Sequence, residues 1–146
     1  MLENTLFEPI YSQDNSTLDI YIEYINCLEG VKGKIKNLHW AASKLSSRDK
    51  RGAHIYLDAL LDEVGNTQDT IAEQCQGILG IMSLDAVKPH TIVATSTSQL
   101  MKYIENETIS FYKKLPQSPK FIGIKAEIES FIGIIEKYIY LFQLTD

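Results

Sequence analysis

The sequence predicts an all-α protein: a four-helix bundle whose second and third helices are joined by a long crossover containing a short helix of its own. Three observations carry this. Apolar residues recur every three or four positions through four segments. The prolines fall outside those segments or, at Pro119, on the first residue of one. The 146 residues suffice for one domain, residues 1–146, with one substantial core.

The first fifteen residues read as an acidic, irregular lead-in with Glu3, Glu8 and Asp14. A first helix is expected from near Ser16 to Leu45, with Asn15, Ser16 and Thr17 as candidate N-caps. Leu18, Ile22, Ile25, Leu28, Val31, Ile35, Leu38, Ala42 and Leu45 form its buried stripe. Tyr21 and Tyr24 read as plain packing, with the core rim or an interface as the other placement. Gly30 and Gly33 lower helix propensity and mark close packing. After the polar turn Ser46–Lys50, Asp49 caps a second helix that reaches about Gly80. Ala53, Leu57, Leu60, Leu61, Val64, Ile71, Ala72, Ile78 and Leu79 build its apolar face, and Asp62 and Glu63 are read as solvated acids or cage lining.

Residues 81–96 break the periodicity with Pro89 and a small polar cluster from Thr95. Leu84, Val87, Ile92 and Val93 make this a packed crossover, and His90 is read as a surface histidine without a metal role. The third helix spans Thr97 to Leu115, with Leu100, Tyr103, Ile104, Glu107, Phe111 and Leu115 on one side, and ends at Pro116. Ser118 and Pro119 are the N-cap and first residue of a fourth helix running to about Leu144. Ile122, Ala126, Ile128, Phe131, Ile132, Ile135, Tyr138, Ile139 and Phe142 make it apolar on more than one face, so part of it is expected in subunit contacts.

The chemistry concentrates in the second helix. His54 and Asp58 are four residues apart, as are Asp69 and Glu73, so each pair shares a face. Eleven residues separate Asp58 from Asp69, nearly a whole number of turns, which puts all four on one stripe. Along the axis those two carboxylates are roughly 16 Å apart, too far for one metal to touch both. Two copies crossing antiparallel about a two-fold axis would bring the His54/Asp58 end of one against the Asp69/Glu73 end of the other, giving two equivalent sites. His39, on the preceding helix, offers a further nitrogen. Histidine with several carboxylates suits iron, manganese or zinc, and is not a thiolate site.

These residues resemble the ferroxidase signature of the Dps-type miniferritins, the DNA-protection-during-starvation members of the ferritin-like superfamily. The matching elements are His39-Trp40, then His54-Ile55-Tyr56-Leu57-Asp58, then Asp69-Thr70-Ile71-Ala72-Glu73. The motifs cover about a third of the chain and the helix layout fits most of the rest. The stretch between His39 and His54 is about three residues longer than is usual there. The resemblance implies a ferritin-like four-helix bundle, two-fold dimers assembled into a twelve-subunit cage, and a ferroxidase. Fe(II) would bind between His39, His54 and Asp58 of one subunit and Asp69 and Glu73 of the other. Zinc or manganese could substitute. Peroxide or dioxygen would oxidise the iron, Fe(III) would be stored inside the cage, and Trp40 would lie beside the site. Iron storage and protection from oxidative stress follow as the expected role.

Other classes fit less well. The net charge of −5, with no basic run, disfavours direct DNA binding, and the lysine-rich tail of many Dps relatives has no counterpart. Cys27 and Cys75 are far apart and read as small buried hydrophobes in a reducing compartment. No secretory signal or spanning segment is read, so a cytoplasmic protein is expected. The Glu-x-x-His motif of intrasubunit di-iron bundles is absent, as are a phosphate-binding glycine loop and a nucleophile elbow. The remaining alternatives are a non-catalytic ferritin-like structural or packaging protein, and a zinc- or manganese-binding dimer.

Overall fold

The computed structural model describes residues 15–146, so expectations for the lead-in lie outside the described residues. Four long helices account for the fold: α1 (Asn15–Trp40), α2 (Lys50–Leu79), α3 (Thr97–Lys114) and α4 (Ile122–Gln143). Two short 3-10 turns, Ala42–Lys44 and Pro119–Phe121, sit after α1 and before α4. No strand occurs among the described residues.

Side-chain pairs give the helix directions. Tyr21 donates to the Gly80 carbonyl at one end of α1 and α2, and His39 stacks on His54 at the other, so the two helices are antiparallel. Tyr24 bonds Thr108 at 2.8 Å and Cys27 lies against Tyr103, which makes α3 antiparallel to α1. Tyr56 meets Phe142 edge-on, so α4 runs against α2, and Tyr112 bonds Glu129 across the α3–α4 hairpin. Each helix thus packs on two neighbours, and α2 and α3 run parallel across the diagonal. A parallel pair joined in sequence requires a connection as long as the bundle.

That connection is residues 80–96. It contains no helix, contrary to the sequence expectation. Besides one turn bond, from the Ala86 N–H to the Ser83 carbonyl, its middle is held by α1. The Asn26 side chain accepts from the Lys88 N–H at 2.8 Å and donates to the Ala86 carbonyl, while its own carbonyl accepts from the His90 N–H. A segment held by another element's polar groups has no need of internal helical bonds. His90 completes the strap with a 3.0 Å pair to Glu23. Only Ile92 of the four apolar residues expected to pack is buried; Leu84, Val87 and Val93 are exposed.

The core follows the apolar stripes closely. Leu28, Val31, Ile35, Leu57, Leu60, Ile71, Leu100, Ile104, Ile128, Phe131 and Ile135 are fully enclosed. Tyr21 and Tyr24 are packed in the core, and Tyr24 stacks on Phe111 at 4.3 Å. At the start of α4 the buried face differs from the expected set: Ile124 is enclosed, whereas Ile122 is 65% exposed and Ala126 is also exposed. Ile124, Ile128, Phe131, Ile135, Tyr138 and Phe142 recur at four and three residues and define the buried stripe, and Ile122 and Ala126 fall off it. In the 3-10 turn before α4 the Ser118 hydroxyl accepts from the Lys120 N–H. The second helix begins as expected, with the Asp49 carboxylate accepting from the Gly52 N–H. Gly80 ends it at φ 113°, a backbone conformation suited to glycine. The first helix ends at Trp40, five residues before the expected Leu45.

Cys27 and Cys75 are both buried and neither forms a disulfide. Burial pushes the Cys75 thiol up to about 12 and the Cys27 thiol up to about 11. Tyr21 is pushed up to about 12 by burial, with Cys75 beside it adding to the shift. These are acids with raised folded pKa values. Their contribution to stability is complete below the unfolded values of about 8.5–10 and is lost as pH rises through the folded ones. We expect a urea midpoint that is steady from about pH 6 to 8 and then falls towards pH 11. A midpoint unchanged to pH 11 would contradict this burial of ionisable groups.

Candidate metal centre

The α1–α2 hairpin places the five sequence-selected residues on the outside of the bundle. His39 sits in the last turn of α1 and His54 in the first turns of α2, and their rings stack at 3.9 Å with 13° between planes. The stacking is fixed by reciprocal hydrogen bonds. His39 Nδ1 lies 2.8 Å from the His54 carbonyl, and His54 Nδ1 lies 2.9 Å from the His39 carbonyl. A carbonyl oxygen only accepts, so each Nδ1 carries the proton and donates it. The His39 carbonyl belongs to the turn where a helix leaves carbonyls without donors, so the bond also caps α1.

The consequence is chemical. In the neutral ring, a protonated Nδ1 leaves the lone pair on Nε2. A backbone carbonyl that fixes the tautomer in this way is the usual support for a metal-ligating histidine. Each ring of the pair therefore keeps its Nε2 lone pair available as a donor to a metal.

Asp58, one turn beyond His54, is exposed, as are Asp69 and Glu73 farther along α2. The stripe inferred from spacing is thus solvent-facing, on the side of α2 turned away from the core. Among the described residues, no three His, Cys, Asp or Glu side chains converge within one chain on a position that could hold a metal. One chain brings His39 and His54 together and leaves Asp69 and Glu73 apart from them. Trp40, next to His39, is 76% exposed and takes no part in the core. Asp62 is exposed and Glu63 half-buried.

The neighbouring α1–α2 seam carries charge of its own. The Gln68 amide donates to both the Ile25 carbonyl and the Glu29 carboxylate, and Lys32 pairs with Glu29 at 3.1 Å. Partial burial opposes ionisation of Glu29, but these donors outweigh it and hold the carboxyl below its ordinary range. Sequence reasoning missed Gln68, which is buried on the α2 core face; a polar residue at an apolar stripe position was the available signal. Among the described residues no helix is long and apolar enough to cross a membrane. No protein-family model matches the chain, and no curated protein and no solved structure matches it.

Proposed function

We propose that this chain is a ferroxidase of the miniferritin type, oxidising Fe(II) at sites shared between two-fold-related subunits and storing the Fe(III) product. The observation that carries the reading is the His39–His54 pair, whose Nδ1–H tautomer, fixed by two backbone carbonyls, leaves both Nε2 lone pairs available, with Asp58 one turn beyond His54 in the sequence of α2. Neutral imidazole with carboxylates is a donor set suited to Fe(II). A second copy related by a two-fold axis would add Asp69 and Glu73 and complete it.

In this reading Fe(II) is the substrate. Nε2 of His39 and of His54 position it, and Glu73 of the partner subunit is the strongest anionic ligand or a bridge between two ions. Asp58 either binds iron or orients a histidine. Hydrogen peroxide takes two electrons, one from each of two Fe(II) ions, and with two protons leaves as two waters; dioxygen is the slower oxidant. The carboxylates neutralise the charge gained by the metal. Trp40 beside the site would intercept stray radicals. The Fe(III) would hydrolyse and mineralise within a twelve-subunit shell, in keeping with an acidic chain of net charge −5. With a net charge of −5, protection of DNA would act through iron and peroxide removal.

The test is Fe(II) oxidation followed by absorbance, under air and with added peroxide, on the purified chain and on its His54→Ala/Asp58→Ala variant. Oxidation that is faster than buffer, yields soluble Fe(III) and disappears in the variant is the expected result. Oxidation no faster than buffer would leave a ferritin-like scaffold without turnover.

A further inference from the structure

We propose that the groove between α1 and α3 is a binding site for a small organic cation, a protonated amine carried on an apolar body about the size of one benzene ring. The site goes beyond the ferroxidase reading and is separate from it. Cys27, the last residue of α1 to line the groove, precedes His39 by twelve positions, roughly 18 Å of helical rise.

Size and lining set the body of the ligand. The cavity holds about 160 Å³, close to the roughly 150 Å³ that accommodates one benzene molecule in a protein interior. Its floor is Tyr24, Cys27 and Phe111, all buried, with the Tyr24 and Phe111 rings stacked at 4.3 Å. Such a floor takes an apolar group, and aromatic rings also attract a cation.

Charge sets the head. Three carboxylates, Asp19, Glu23 and Glu107, line the cavity against one lysine, Lys114. Glu23 is already paired with His90. Glu107 is the informative residue. It occupies an apolar position of α3, spaced by three and four residues from Ile104 and Phe111, both buried. Glu107 itself is half-buried, and among the described residues its carboxylate has neither a hydrogen bond nor an ion pair. A carboxylate drawn away from water calls for a donor, and the chain supplies none. Its charge reaches the floor: after burial, Glu107 and Glu23 add to the rise of the Cys27 thiol, and Glu107 to that of the Tyr24 hydroxyl. A protonated amine brings both the missing donors and the opposite charge. A second copy of the chain, with its net charge of −5, is a poorer occupant.

The test is calorimetric titration of the full chain with 2-phenylethylammonium and with its neutral analogue 2-phenylethanol, beside the variants Glu107→Gln, Glu107→Leu and Glu105→Gln. The expected result is saturable binding of one amine per chain with Kd below about 1 mM, weakened by added salt. The alcohol, and the amine on Glu107→Gln, should bind more weakly by about 10-fold or more. Glu105, on the same helix but outside this groove, should be replaceable without effect. Glu107→Leu puts an apolar residue at an apolar position, so it should lose the amine yet melt no lower than the parent. That outcome separates a ligand carboxylate from one that holds the fold. No saturable binding up to about 10 mM, equal affinity for amine and alcohol, or unchanged affinity in Glu107→Gln would overturn the proposal.

Discussion

Mixing two inactive variants should restore iron oxidation. On the proposed reading His54→Ala and Glu73→Ala each remove a ligand, and each alone should lower Fe(II) oxidation by about 100-fold, the upper range for loss of metal-site groups. The two residues lie on the same helix, nineteen positions and so roughly 28 Å of rise apart. If every site draws His54 from one subunit and Glu73 from the other, a mixed dimer contains one site with both defects and one with neither. Random re-association of equal amounts would make half of the dimers mixed. Hence about a quarter of the parent activity should return after the mixture is dissociated and reassembled. A site built within one chain, or two unrelated effects on folding, would give no recovery. The same mixture made from His54→Ala and Asp58→Ala, both on the same side of the site, should stay inactive and serves as the control.

The contrast between these residue pairs explains why the site was partly legible in the sequence. Spacing on a single helix is a local property, so the phase shared by His54, Asp58, Asp69 and Glu73 could be read at 3.6 residues per turn, and all four are exposed as that phase requires. The stacking of His39 on His54 was not legible. It depends on how α1 stops at Trp40 and how residues 41–49 return the chain, and that turn is stabilised by scattered contacts such as Lys50 to the Leu45 carbonyl and the Asp49 N–H to the Thr145 carbonyl. The bundle itself followed from its apolar stripes. The exceptions, Ile122 and Ala126, are apolar residues off the stripe that Ile124, Ile128 and Phe131 begin, so their type and not their spacing suggested burial. The crossover misled for a related reason: its Val and Leu residues suggested packing, whereas its backbone is satisfied by the buried amide of Asn26 on a different element.

Gly30→Ala should be among the most damaging single-methyl changes in the chain. Adding a methyl to a glycine inside a helix normally gains up to about 1 kcal/mol, because alanine is the better helix former. At Gly133, where a Cβ meets nothing within 4 Å, we expect that gain. At Gly30 the new Cβ would lie 2.1 Å from the His90 carbonyl oxygen and 3.0 Å from its carbon. Both are backbone atoms, so no side-chain rotation relieves the clash. The crossover would have to lift from α1, and lifting it breaks the three Asn26 hydrogen bonds to residues 86–90 and the His90–Glu23 pair. Overpacking of this kind costs about 1–3 kcal/mol, and exposing or orphaning a buried amide adds a further 1–3 kcal/mol. A net loss of about 3 kcal/mol corresponds to a melting temperature lowered by roughly 6–12 °C in a chain of this size. Thermal melts of Gly30→Ala beside Gly133→Ala would decide the matter, with the two shifts of opposite sign. Equal, small shifts would mean that the crossover does not lie on α1 at Gly30. Because residues 80–96 carry the chain from the end of α2 to the start of α3, their seating on α1 keeps the second hairpin in register with the first. The glycine that admits the His90 carbonyl is therefore a condition of the bundle's topology, and its loss should propagate to both hairpins together.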